Sequence, residues 1–381
     1  MKRFVSLGKV GIVMFLLVAC NPSAATLPQS TETTQPKPPA TATVLQVSPE
    51  PAAFTLSEKG PYHVGTRTFS FNDANRDGRY VSITVWYPAV QPGDSTSKGP
   101  SFDADPDFSS APYPLILSDT KNAKLFAPYL VSHGFAWASV DGIDTWGPQM
   151  DVGMIDQPLD ILFMLDRVAS SPPEGLEGMI NAEQVGVIGY SFSGYNTLAL
   201  SGARIDPEYY LAQCPNPDAT TEAILSALSA FDCPPSGPWD EFAAHAGDAI
   251  TTSEDGMWQP MTDERIRAVI PMAGEGWWLF GERGLAAVDR PVLIIAGTQD
   301  KLYPENALIY EHLGTHDKAM ISFVGDGHMV MVSDYDHIAR LAHFATAFFG
   351  YHLQGREDYA EYFSEDFVAQ CDDLFYGVYD K

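Results

Sequence analysis

Positive charge is scarce in this chain. Its 381 residues carry 22 Lys+Arg against 49 Asp+Glu, a formal net charge of -27. A field of that sign repels phosphate backbones and anionic lipid, which excludes nucleic-acid binding and membrane attachment through basic patches. Cysteine is scarce too, with four in all, and no Cys/His spacing suits zinc, so no metal site is expected. No internal repeat is visible. The apolar run at residues 10–19 falls short of the roughly 20 residues that a membrane span needs. What is present is material for a core: 45% hydrophobic and 12% aromatic residues exclude a disordered chain. Glycine and proline, 31 and 29 in number, predict many turns and loops.

The first residues read as a targeting segment. Lys2, Arg3 and Lys9 precede and flank the apolar run, as in a secretory signal. The run ends in Leu17-Val18-Ala19-Cys20, which resembles a bacterial lipobox. That resemblance implies cleavage before Cys20, lipidation of its thiol, and an exported protein anchored to the cell envelope surface without spanning it. Loss of residues 1–19 removes three basic residues and no acidic one, taking the charge to about -30. Residues 20–52, rich in Pro, Thr, Ser and Ala, read as a tether, and 53–381 as the globular domain. Export favours pairing of the three remaining cysteines, and Cys214 with Cys233 is the expected disulfide, which leaves Cys371 over.

Within the domain, period-two apolar segments alternate with helical ones. Strands are expected at residues 66–71, 80–87, 114–117, 136–140, 184–188, 267–272, 292–296 and 320–324. Helices are expected at 124–132, with Gly134 as stop, and at 156–168, 192–200, 305–313 and 336–349. The alternation predicts an α/β fold with a mostly parallel sheet flanked by helices. Residues 203–264, with both expected disulfide cysteines, Pro215, Pro217, Pro234 and Pro235, and a short helix at 221–230, read as a cap inserted between two strands.

The chemistry concentrates in Gly189-Tyr190-Ser191-Phe192-Ser193-Gly194, between a buried strand and a helix. A Ser on such a sharp turn is a candidate nucleophile, and the helix N-terminus beneath it suits a developing oxyanion. Gly189 supplies the small residue two positions before Ser191; Ser193 stands where the usual pattern has its second glycine. Asp300 follows the strand 292–296 and is the candidate acid, with Glu275 as competitor. His328, in a glycine-flanked loop after the last apolar strand, is the candidate base. The chain order Ser191, Asp300, His328 is that of the α/β-hydrolase arrangement. Its oxyanion donors would be the backbone N–H of Phe192 and one from the loop after strand 114–117, assigned to Lys121 with Thr120 next. Trp146, Trp277 and Trp278 fall at the carboxyl edge of the sheet and are expected to line a substrate pocket. Two other patterns are set aside. Ser118-Asp119-Thr120-Lys121 matches S-x-x-K but lacks the accompanying S-D-N and K-T-G elements. The stretch from Asp73 to Gly78 opens like a calcium loop, but Thr84 stands where a bidentate Glu is needed.

Together these segments resemble the dienelactone hydrolase-like group of α/β-hydrolases, and within it the platelet-activating-factor acetylhydrolase-like esterases. The resemblance runs from about Gly60 to Tyr351 and includes Val85-Trp86-Tyr87-Pro88, the Ser191 turn, Gly297 to Asp300 and Gly325 to His328. It implies a cofactor-free serine hydrolase acting on carboxylic esters through an acyl-enzyme. The negative field favours neutral esters, small or polymeric, with poly(ethylene terephthalate)-type polyesters as one possibility and a non-catalytic surface binding protein as the reading from another class. Oligomeric state is left open.

Overall fold

The computed structural model of the protein describes residues 53–91, 93, 99–143, 152–213 and 238–380. Cys20, Cys214, Cys233, Trp146 and the expected helix at 221–230 lie outside the described residues, as do the signal segment and the tether.

The chain enters through a hairpin. β1 (His63–Asp73) and β2 (Arg79–Ala89) pair antiparallel from His63 opposite Ala89 to Asp73 opposite Arg79. Both strands are longer than the alternation predicted, because the ladder continues past the last alternating residue. At the turn, Asp73 accepts hydrogen bonds from the Asn75 N–H at 3.0 Å and the Arg76 Nε at 2.6 Å. A guanidinium thus engages the carboxylate with which a calcium loop would have begun.

Six strands form the parallel centre: β4 (Tyr113–Asp119), β5 (Ala136–Val140), β6 (Ile180–Tyr190), β7 (Ile266–Met272), β8 (Val292–Gly297) and β9 (Lys318–Phe323). β3 (Ser101–Phe102) and β10 (Leu374–Tyr376) complete a ten-stranded sheet of order β10-β9-β8-β7-β6-β4-β5-β2-β1-β3. The described α-helices of seven or more residues are α1 (Thr120–Leu130), α2 (Gly153–Ser170), α3 (Phe192–Leu200), α4 (Pro207–Gln213), α5 (Pro238–Ala246), α6 (Trp277–Leu285), α7 (Tyr303–His312) and α8 (Tyr335–Gln354).

Successive strand residues feed opposite layers. Leu115, Leu117, Val292 and Ile294 join Met164 and Leu165 of α2 and Leu198 of α3 on one face. Their neighbours Ile116, Leu293 and Ile295 join Phe126 and Leu130 of α1 and Phe344 and Phe348 of α8 on the other. Each such fully buried side chain contributes ~1.5–3 kcal/mol from the apolar surface it removes from water. The result is a mixed α/β fold, a mostly parallel sheet covered by helices on both faces.

The segment between α3 and β7 is stitched down where it is described. Asp206 donates its N–H to the Leu279 carbonyl at 3.0 Å, and Trp258 to Ile205 at 2.9 Å. Tyr210 stacks on Trp239 with ring centroids 4.8 Å apart, and Phe242 on Trp258 at 5.3 Å. Trp277 and Trp278, expected in a loop at the sheet edge, instead open helix α6.

Candidate active site

Parallel strands end at one edge, so the loops after β4, β6, β8 and β9 converge there. Each carries a residue singled out from the sequence.

Ser191 sits between β6 and α3 at φ 61°, ψ -125°. A non-glycine residue there is strained by about 1–3 kcal/mol, and surrounding bonds must hold it. Its N–H donates to the Met272 carbonyl at 2.9 Å, and its carbonyl accepts from the Gly194 N–H at 2.7 Å. The turn is tight because glycines flank it. A Cβ on Gly189 would lie 2.0 Å from the Ser193 carbonyl oxygen, and one on Gly194 would lie 2.5 Å from the Gly274 Cα. The close approach on the helix side is therefore made by Gly194 and not by position 193. Ser193 uses its hydroxyl to donate a hydrogen bond to Asp119 Oδ2.

His328 reaches both partners. Its Nε2 lies 3.0 Å from Ser191 Oγ, and its Nδ1 lies 2.7 Å from Asp300 Oδ2. The carboxylate fixes the ring proton on Nδ1 and leaves the Nε2 lone pair facing the hydroxyl. Asp300 is itself held, since its Oδ1 accepts the Leu302 N–H at 2.9 Å. The acid and base loops are knitted together by Gln299 N–H to the Asp326 carbonyl at 2.7 Å and Gly325 N–H to Thr298 Oγ1 at 2.9 Å. Gly297 leaves no room between them: its Cβ would fall 2.4 Å from the Asp326 carbonyl oxygen. From the other side the Tyr190 hydroxyl donates to the His328 carbonyl. Burial, then the nearby Asp300 charge, pushes that phenol well above its ordinary range, so it remains a donor.

Asp300, and not the competing Glu275, is the carboxylate against His328. Glu275 is 2% exposed. Burial first, then the charges of Glu305 and Asp300, raise its carboxyl well above the usual value. Glu305, buried beside it, accepts the Gly276 N–H at 2.6 Å and the Trp277 N–H at 3.0 Å, and so starts α6.

Phe192 is the first residue of α3, so its N–H has no acceptor within its own helix. Thr120 and Lys121 occupy the same kind of place at the start of α1. The Lys121 ammonium stands 5.8 Å from the centroid of the Tyr190 ring, beside Ser191 in the chain. Trp277 is 6% exposed and packs on Tyr209 at 5.7 Å and His312 at 4.8 Å. Among the described residues, no group of three or more His, Cys, Asp or Glu is placed to hold a metal ion.

The sequence reading passed over Tyr190, Asp119 and Asn122 as parts of the site. Asp119 caps α1 by accepting the Asn122 N–H at 2.9 Å, and it also accepts Asn122 Nδ2 at 2.6 Å. The available signals were that Ser193 stands where the usual pattern has its second glycine, and that Asp119-Thr120 stands where lipase-like enzymes usually carry His-Gly. Comparison with protein-family models and with curated proteins gives no match for this chain.

Proposed function

We propose that the chain is a serine carboxylic-ester hydrolase built on the α/β-hydrolase fold, exported and lipid-anchored through Cys20, with residues 203–264 as a cap. The observation that carries the reading is the hydrogen-bonded relay Asp300–His328–Ser191, with links of 2.7 and 3.0 Å, at the carboxyl edge of a mostly parallel sheet. In this reading Ser191 Oγ attacks the ester carbonyl as His328 Nε2 takes its proton. Asp300 stabilises the imidazolium, which then protonates the departing alcohol. The tetrahedral oxyanion is met by backbone N–H groups of Phe192 and of Lys121 or Thr120. Water, deprotonated by His328, attacks the acyl-enzyme and releases the carboxylic acid and free Ser191. Neutral esters suit a chain of net charge -27, because an anionic substrate meets long-range repulsion.

A fluorophosphonate probe together with a p-nitrophenyl ester tests the proposal. Labelling confined to Ser191, and turnover lost by about four powers of ten in Ser191→Ala and in His328→Ala, are the expected results. A folded protein that neither labels nor turns over any member of a panel varying in acyl length refutes the reading and favours a binding protein on the same fold.

A further inference from the structure

Two departures from the usual hydrolase pattern, Ser193 in place of a glycine and Asp119 in the loop after β4, lie 74 residues apart and meet in space. The Ser193 hydroxyl donates to Asp119 Oδ2. Asn122 Nδ2 donates to the same oxygen at 2.6 Å, and Asn122 N–H donates to Oδ1 at 2.9 Å. Asp119 is 1% exposed and Ser193 is 4% exposed. Three donors thus solvate a buried carboxylate and fix its orientation. Asp119 directly precedes Thr120 and Lys121, and Ser193 directly follows Phe192. The carboxylate therefore ties together, across the gap between β4 and α3, the two backbone stretches that hold the proposed oxyanion donors.

We infer that Asp119 and Ser193 form a brace that sets the spacing of the oxyanion hole, acting as positioning residues and not as catalytic ones. The inference rests on the esterase reading and deepens it. An oxyanion hole works only if both donors lie within hydrogen-bond reach of the oxygen as it becomes charged, and that spacing is fixed before substrate arrives. A glycine at position 193, as in the usual pattern, would carry no side-chain donor for this carboxylate. Here a hydroxyl donor on α3 and its acceptor at the end of β4 close the distance directly. A negative charge so near a developing oxyanion opposes it electrostatically, so the favourable contribution of Asp119 is geometric.

The test uses the full chain and Ser193→Ala, Ser193→Gly and Asp119→Asn, each confirmed folded by circular dichroism. kcat and KM are read with a p-nitrophenyl ester. Inhibition is read with a trifluoromethyl ketone, which Ser191 converts to a tetrahedral oxyanion, and with the planar amide of the same acyl group. A brace predicts that Ser193→Ala lowers kcat about 10- to 100-fold at nearly constant KM, with the ketone weakened by the same factor and the amide unchanged. Ser193→Gly should behave as Ser193→Ala does, although it restores the usual residue. Loss of thermal stability with kcat and the ketone-to-amide ratio unchanged overturns the brace and leaves a packing contact. Equal weakening of ketone and amide overturns it as well. Activity in the parent chain that survives Ser191→Ala overturns the esterase reading itself, a result distinct from either.

Discussion

Gly297→Ala is the substitution that best probes how the base is positioned. The added Cβ would lie 2.4 Å from the Asp326 carbonyl oxygen, about 1 Å inside the 3.4 Å at which ordinary contact begins. Neither side yields easily. Gly297 is the last residue of β8, paired with Phe323, and the Asp326 carbonyl accepts the Gln299 N–H at 2.7 Å. The cheapest relief is for the loop bearing His328 to retreat by about 1 Å. Links of 2.7 Å to Asp300 and 3.0 Å to Ser191 then open beyond hydrogen-bonding distance. A misplacement of that size costs about 100-fold in turnover. The assay is kcat on a p-nitrophenyl ester, with a thermal melt to confirm folding. Gly327→Ala is the matched control in the same loop, since its Cβ meets nothing closer than 3.9 Å, and it should keep kcat within about threefold. A folded Gly297→Ala protein that is as active as the control would refute the claim that this contact sets the imidazole.

Two further predictions concern buried ionisable groups. Asp300→Asn should lower kcat by about four powers of ten, because the wrong imidazole tautomer is then favoured. Glu275→Gln removes a carboxyl whose place against His328 is taken by Asp300, so kcat should stay within about threefold; the reverse order would identify Glu275 as the acid. Burial, then the His133 charge, lowers the His343 imidazole to about 3 while its Nδ1 accepts the Leu56 N–H at 3.1 Å. Because the folded form is neutral and the unfolded chain takes up a proton below about 6.5, the stability this group supplies is complete above that pH and fades as pH falls toward 3. By pH 5 the loss amounts to about 2 kcal/mol. Urea unfolding of the parent and of His343→Asn between pH 6.5 and 5 should show the parent falling more steeply, and parallel slopes would count against a neutral buried ring.

Much of the site could be read from the chain because it is built on local rules. The turn at Ser191 fixes where α3 starts, so its span of 192–200 is legible to the residue. The loops bearing Asp300 and His328 follow short runs of buried β-branched and apolar residues whose ends are marked by glycine. Reading failed where pattern is diluted or contact is remote. Helix α6 was hidden because Gly281, at φ 57°, interrupts its periodicity. Its start depends on Glu305, 28 residues beyond Trp277, accepting the Trp277 N–H. β3 and β10, of two and three residues, are too short to show alternation. Ser193 and Asp119 were each visible as deviations, but nothing local says that one hydroxyl meets one carboxylate. Tyr190 looks like an ordinary strand residue until the His328 carbonyl is found against its hydroxyl.

The brevity of β3 and β10 matters beyond their role in closing the fold. A long bare rim offers a row of unpaired amides and carbonyls to which a neighbouring molecule can add its own strand. Because β3 pairs only with Gly65 and Thr66, the stretch of β1 from Arg67 to Asp73 has β2 on one side and no described strand on the other. A strand added by a neighbouring copy would meet the unpaired amides and carbonyls of that stretch, where the stub at β3 stops short of covering them.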